Sequence, residues 1–396
     1  VVAVAAGKAA PAMAIAAVER LPSPPLAAVV VHPPGVPGVE RLGRLAVESI
    51  EADHPVPTAR NLAASQRVVR LGESVPDDGT LLVLLSGGAS ALLTLPAEGL
   101  ALDDLATVTQ ALLRAGAPID ELNAVRKHCE RLKGGGLVRL ASPRAVHALI
   151  LSDVVGDRLD VIGSGPTAPD PTTYADALAV LERRGALGAS RAVTDHLRRG
   201  AAGQLPETLK PGDPALALAR NTIIGGNETA LRAAEHQLAS DGFNIIAVER
   251  EVAGEAEEIG RTLARRLRAI REPDRPACIL LGGETTVTVG DATGVGGRNQ
   301  ELALAAAIEL DGDPSLGVLA FATDGRDGPT DAAGAFVTGA TASAARERGL
   351  DPALALRQHD SNTILGAAGA LIRTGPTGTN INDVAVGYAL RTGPGG

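Results

Sequence analysis

VVAVAAGKAAPAMAIAAVER, residues Val1–Arg20, begins as an apolar, β-branched run, turns at Gly7-Lys8 and continues in a helical pattern. A short strand that is apolar on both faces, followed at once by a helix, is half of a βαβ unit and predicts a parallel sheet covered on both sides. The same succession recurs along the chain. Strands are expected over Val1–Ala6, Ala27–His32, Leu81–Leu85, Val146–Leu151, Thr222–Ile224, Ile245–Val248, Cys278–Leu281 and Val318–Ala322. Helices are expected over Ala9–Arg20, Thr58–Leu71, Asp103–Ala115, Ile119–Leu132, Tyr174–Arg184, Glu228–Ser240, Glu255–Arg271 and Asn299–Leu310. Between Gly185 and Pro214 the pattern dissolves into Gly, Pro and Arg, which reads as a linker and places a boundary near residue 210. The chain starts without Met and inside an apolar run, so further residues are expected before it.

At 396 residues the chain is long enough for two α/β domains. Its 37 Lys and Arg residues against 46 Asp and Glu give a net charge of −9, which opposes general attraction to nucleic acid or anionic lipid. Three Phe, two Tyr and no Trp are too few for base-stacking platforms, so the core must be aliphatic. Cys129 and Cys278 lie far apart in apolar surroundings, which excludes a disulfide framework and a Cys-based zinc site. Apolar runs are broken by Gly, Ser and Pro before they reach membrane-spanning length. With no signal peptide legible either, the expected location is cytoplasmic.

In open parallel sheets ligands bind where strand carboxyl ends meet loops and helix N-termini. Those ends carry Gly7-Lys8, then Ser86-Gly87-Gly88-Ala89-Ser90, then Ser152-Asp153. Further on come Gly225-Gly226-Asn227, Gly282-Gly283-Glu284 and Thr323-Asp324-Gly325. Glycine after a strand is ordinary turn chemistry, but turns do not call for Lys, Asp and Glu at the same places. Lys is also scarce here, at Lys8, Lys127, Lys133 and Lys210 alone. In GDATGVGGRNQE (Gly290–Glu301), Gly294, Gly296 and Gly297 precede a helix and Arg298 offers a planar fork, a pattern suited to phosphate oxygens. In FATDGRDGPTDAAGAF (Phe321–Phe336), the carboxylates Asp324, Asp327 and Asp331 suit Mg²⁺ or a general base, or form a solvated acidic turn. In ELNAVRKHCERLKGGGL (Glu121–Leu137), Asn123, Arg126, Lys127 and Lys133 are expected on one helix ending at Gly134. Arg126 and Lys133 then share a face that points at an anion or at solvent. Walker A, HExxH and GxSxG patterns are absent, and GSGPTA (Gly163–Ala168) reads as a turn because Pro166 and Pro169 keep it from opening a helix.

Together with LSDVVGDRLDVIGSGPTAPDPTTY (Leu151–Tyr174), these stretches resemble the glycerate 2-kinases with a C-terminal MOFRL domain. Bacterial members of that family often carry the label hydroxypyruvate reductase. The matching motifs VAAGKAA, LLSGGASALL, LLGGETTVTV with GGRNQE, and ATDGRDGPTDAAGA stand in order along nearly the whole chain. The resemblance implies ATP-dependent phosphorylation of D-glycerate at its 2-hydroxyl, giving 2-phosphoglycerate, with Mg²⁺. It also implies two Rossmann-like α/β domains with mainly parallel sheets, taken as residues 1–210 and 211–396, and an active site in the cleft between them. The family's active-site lysine matches Lys8, its arginine Arg298 and its acidic residue Asp324. Around substrate and phosphates the expected residues are Ser86, Gly87, Gly88, Ser90, Asn123, Arg126 and Lys133. From the second domain come Gly283, Glu284, Gly296, Gly297 and Asn299. Asp153 and Asp327 are the metal candidates. Partners are D-glycerate and the nucleotide, with a homodimer as a candidate assembly and neither nucleic acid nor membrane. The competing readings are an NAD(P)H-dependent hydroxypyruvate reductase, for which a dinucleotide fingerprint is missing, and a non-enzymatic sensor of a sugar acid or nucleotide.

Overall fold

The computed structural model describes residues 1–141, 144–270 and 275–390. Two compact units result, Val1–Ile224 and Gly225–Gly396. The first is built on a six-stranded sheet: β1 (Val2–Ala6), β2 (Ala27–His32), β3 (Glu48–Glu51), β4 (Thr80–Leu85), β5 (Ala145–Leu151) and β6 (Ala219–Gly225). The spatial order is β3-β2-β1-β4-β5-β6, with β1 parallel to β2 and β4, β2 parallel to β3, and β4 parallel to β5. Alternate residues of β1 face opposite ways. Val2, Val4 and Ala6 enter one apolar cluster while Ala3 and Ala5 enter another on the far face. This double burial is why the run is uniformly apolar.

The linker expected over Gly185–Pro214 is instead partly helical. Ser190 caps the helix Arg191–Ala201 by accepting from the N–H of Val193, and Val193 and Leu197, four apart, are buried. Two apolar positions among arginines were too few to reveal it. That helix joins Leu102–Arg114, Ile119–Cys129 and Tyr174–Arg183 around a separate core containing Leu112, Val125, Leu181 and Leu197. Because β6 pairs into the first sheet, the first unit runs past residue 210 to Ile224.

The second unit holds β7 (Asn244–Val252), β8 (Ala277–Gly283), β9 (Leu316–Ala322), β10 (Gly334–Thr338), β11 (Leu371–Ile372) and β12 (Asp383–Ala389), in the order β11-β10-β9-β12-β8-β7. Here the expectation of a mainly parallel sheet fails. Only β7 and β8 pair in parallel; β12 is antiparallel to both β8 and β9, and β10 to β9 and β11. β9 and β10 are joined by a loop with no helix, and a strand that returns without a crossover must run antiparallel. The helix expected to end at Arg271 is observed over Ala256–Ala269; Arg271 itself lies outside the described residues. Among the described residues no helix is long and apolar enough to cross a membrane.

Candidate active site

In the first unit the ends of β1 and β4 are locked together. Gly7 has φ +128, and a Cβ there would stand 2.2 Å from Ser86 Oγ and 2.5 Å from Ser86 O, so only glycine fits. The Lys8 N–H donates to Gly87 O at 2.8 Å, the Ser86 N–H to Ala6 O at 3.0 Å, and the Ala9 N–H to Ser86 Oγ at 3.0 Å. Lys8 is thereby fixed at the strand end, its stem beside Gly88, and the His54 ring packs over the same glycine. Ser86 is buried, with both its N–H and its hydroxyl engaged in this junction. It therefore anchors the loop, and neither its N–H nor its hydroxyl is left for a ligand. The N–H groups of Gly87 and Gly88 make no hydrogen bond among the described residues.

Ser90, further along the loop, is the hub of a polar network. Its hydroxyl meets Ser164 Oγ at 2.6 Å, and Ser164 donates to Asn123 Oδ1 at 3.0 Å. The Ser90 carbonyl accepts from Arg126 Nη2 at 3.3 Å and Lys133 Nζ at 2.8 Å. Lys133 is not on the helix of Arg126, which ends at Cys129. The two basic groups still converge, because the chain turns after Glu130 and brings Lys133 back. Its ammonium also donates to Leu93 O at 2.9 Å and Glu130 Oε2 at 2.7 Å. All three N–H donors of a lysine are then occupied, so Lys133 positions the Ser90 loop and binds no phosphate. Burial pushes its pKa down to about 8 against the pull of Glu130.

In the second unit Arg298 opens the helix Arg298–Leu310. Its Nε donates to Asp383 Oδ2 at 2.5 Å and its Nη2 to Asp383 Oδ1 at 3.1 Å, while Nη1 lies 2.8 Å from Glu284 Oε1. One N–H remains on each terminal nitrogen of a side chain that is about one-third exposed. Burial alone would lower the guanidinium's pKa, but the hydrogen bonds and charge of Asp383, with Glu284 and Asp327, raise it. Asp324 follows β9 and accepts from the Arg326 N–H at 2.9 Å. Its charge reaches Asp383, adding to the burial that pushes the Asp383 carboxyl up.

The glycine loop is not an empty phosphate cradle. Asp327 is buried and fills the helix N-terminus itself: Oδ1 accepts from Asn299 N at 3.1 Å and Asn299 Nδ2 at 3.2 Å, and Oδ2 from Gln300 N at 2.9 Å and Gln300 Nε2 at 3.0 Å. Gly297 is required because a Cβ would meet the Asp327 carboxyl at 2.3 Å, and Gly296 because it would meet Ser361 Oγ at 2.2 Å. These glycines, with Asn299, build the cap rather than a ligand surface. Gly283 is likewise a packing glycine, with φ +157 and the Val252 carbonyl 2.1 Å from any Cβ.

Comparison with known proteins bears on what these groups serve. Residues 1–198 match a domain of unknown function, DUF4147, and residues 277–383 match the MOFRL family. A D-glycerate 2-kinase of Thermotoga maritima is 42% identical over 347 residues, covering 87% of this chain and 80% of its own. The chain belongs to the glycerate 2-kinase family. A glycerate 2-kinase of Pyrococcus horikoshii is 39% identical over 86% of this chain and 77% of its own. The crystal structure of a Thermotoga maritima glycerate kinase superposes with a TM-score of 0.87 at 41% identity, covering 98% of this chain and 91% of that one. An Agrobacterium vitis relative, 40% identical over 97% of this chain and 86% of its own, carries a provisional hydroxypyruvate reductase label.

The family resemblance implies Mg²⁺, yet the described residues contain no cluster of three or more His, Cys, Asp or Glu that could hold a metal. Of the two candidates, Asp327 has both oxygens engaged as a helix cap, and Asp153 stands in no such cluster. The residues do not form a metal cage. Three of the residues described above escaped sequence reading. Asp383 begins β12, and because that strand is antiparallel its first residue lies in register with Gly283 and Ala322 at the carboxyl ends of β8 and β9. Ser164 lies in a loop where Gly163, Ser164 and Gly165 all have positive φ; the GSG triplet between apolar and proline residues was its signal. His54 had none.

Proposed function

We propose that this chain is an ATP-dependent kinase that transfers the γ-phosphoryl group of ATP to the 2-hydroxyl of D-glycerate, releasing ADP, 2-phosphoglycerate and the hydroxyl proton. The observation that carries the reading is the Arg298 fork, fixed by Asp383 and Glu284 with one N–H left on each terminal nitrogen, in a chain of this family. Phosphoryl transfer relies on charge neutralisation and positioning more than on covalent chemistry. In the second unit Arg298 neutralises the transferring phosphoryl and Asp324 accepts the hydroxyl proton. In the first unit Lys8 and Arg126 supply positive charge, and the N–H groups of Gly87 and Gly88 suit an anionic end of substrate or nucleotide. Without a cage for it, magnesium enters as the MgATP substrate. The test is ADP release from ATP and D-glycerate, with phosphorus NMR of the product. 2-Phosphoglycerate supports the reading. NADH oxidation by hydroxypyruvate without ADP release replaces it with the reductase, and 3-phosphoglycerate overturns the position of transfer.

A further inference from the structure

The first unit contains a cavity of about 560 Å³ that the proposed reaction does not use. This size is typical of small-ligand pockets. Lys8, Gly87, Gly88, Ser90 and Arg126 are not among its lining residues. Its walls come from the turn after Leu95, the chain from Lys127 to Leu140, Tyr174, and the helix Arg191–Ala201 with the segment that follows it.

The charges of this cavity are unbalanced. Lys127 is paired with Asp160 and Asp170, and Lys133 with Glu130. Arg131, Arg139 and Arg199 have no carboxylate partner among the described residues; Arg139 donates only to the Glu207 carbonyl. Glu98 is the one unpaired acid on the wall. Tyr174 is 6% exposed, its ring set edge-on to His128 at 4.7 Å and His196 at 5.7 Å. Its hydroxyl, in a wall residue, makes no hydrogen bond among the described residues. Burial pushes that hydroxyl's pKa up to about 12, so it stays a donor. A phenol hydroxyl with no hydrogen bond among the described residues, on a wall residue of the cavity, and three guanidinium groups without carboxylate partners around one concave space form a receptor for oxyanions.

We propose that this cavity is a second ligand site, separate from the candidate active site, for a small polyanion carrying phosphate or several carboxylates. Lys133 lines the cavity and also holds the Ser90 carbonyl, so an occupant lies one side chain away from the Ser86–Ser90 loop.

The chain has two tyrosines and no tryptophan, so Tyr388→Phe leaves Tyr174 as the sole strong emitter. Inorganic phosphate and citrate are titrated separately into this variant, with chloride at matched ionic strength as reference. The expected result is a saturable change in tyrosine emission with at least one of the two, half-complete at or below about 1 mM. A response to phosphate alone identifies a phosphate ester as the ligand class, and one to citrate alone a polycarboxylate. Adding Arg131→Ala and Arg199→Ala, both exposed positions, should raise the midpoint at least about tenfold without changing turnover of D-glycerate. Arg298→Lys should keep the response whether or not the chain is a kinase, which separates this site from the first. No saturable change up to about 50 mM, a change that chloride reproduces, or an unshifted midpoint in the double variant overturns the proposal. Calorimetric titration of the wild-type chain against the double variant makes the same comparison if Tyr388→Phe fails to fold.

Discussion

Replacing Asp327 separates two roles that its sequence position leaves equal. As a helix cap, its carboxylate receives two backbone N–H groups, from Asn299 and Gln300, and the side-chain amides of the same two residues, all between 2.9 and 3.2 Å. In Asp327→Ala the amides can turn to other partners, but the two backbone groups at the buried helix start cannot. At about 1–3 kcal/mol for each buried donor left without an acceptor, the loss is about 2–6 kcal/mol. For a unit of this size that corresponds to about 4–24 °C in Tm. Asp327→Asn keeps one acceptor oxygen and turns an NH₂ toward the other pair of donors, so it should lose roughly half as much. The assay is calorimetric melting of both variants, with MgATP half-saturation measured alongside. A melting temperature within about 1 °C of wild type, joined to a Mg²⁺ requirement raised about tenfold, would refute the cap and restore Asp327 as a metal ligand.

Further outcomes follow from other positions. Lys133 has a folded pKa of about 8 against an ordinary 10.5, so between those values the unfolded chain binds a proton that the folded chain does not. This group alone therefore makes stability rise with pH across that window. Activity should move the other way: a neutral amine has two donors for three acceptors, so kcat/KM should fall above about pH 8, and Lys133→Met should be low throughout and lack that limb; a flat alkaline profile in wild type would remove the lysine from loop positioning. Gly7→Ala should lower Tm by more than about 5 °C, because its Cβ would overlap Ser86; a wild-type melt would contradict the locked junction. Cys129 and Cys278 are both buried, and burial pushes the Cys278 thiol up to about 11 and Cys129 higher still. Neither should react with a thiol reagent at pH 8 until the chain unfolds, which absorbance of the released reagent measures.

How much was legible in the sequence depends on how local the signal was. The strands buried on both faces, β1, β2 and β4, were plain because every residue but His32 and Thr80 is apolar. β3, with the sequence ESIE at a sheet edge, was not, since three of its four residues are exposed. β12 was hidden by an Asp at its start and a Gly and Tyr within it, and with it went Asp383 and the antiparallel character of the second sheet. Lys8 stood out because lysine is scarce in the chain and this one follows a strand, and Arg298 because it follows a glycine-rich loop at a helix start. Their neighbours were harder to assign. Lys133, Asp327 and Ser86 have the chemistry of ligand-binding groups, and only their hydrogen-bond partners show that the fold itself occupies them. A polar residue's type announces what it can bind, whereas the partner that reaches it first is set by residues far away in the chain.

The most direct test of the account is the rate at which Arg298→Lys converts ATP and D-glycerate into 2-phosphoglycerate, followed by phosphorus NMR beside the wild-type chain. Lysine keeps the charge near Asp383 but loses the planar fork, so kcat should fall about 10²-fold or more while the fold persists. The exposed Arg348, which has no ion pair among the described residues, is the control, and Arg348→Lys should leave turnover unchanged. Wild-type kcat in Arg298→Lys would contradict the claim that this guanidinium stabilises the transferring phosphoryl group.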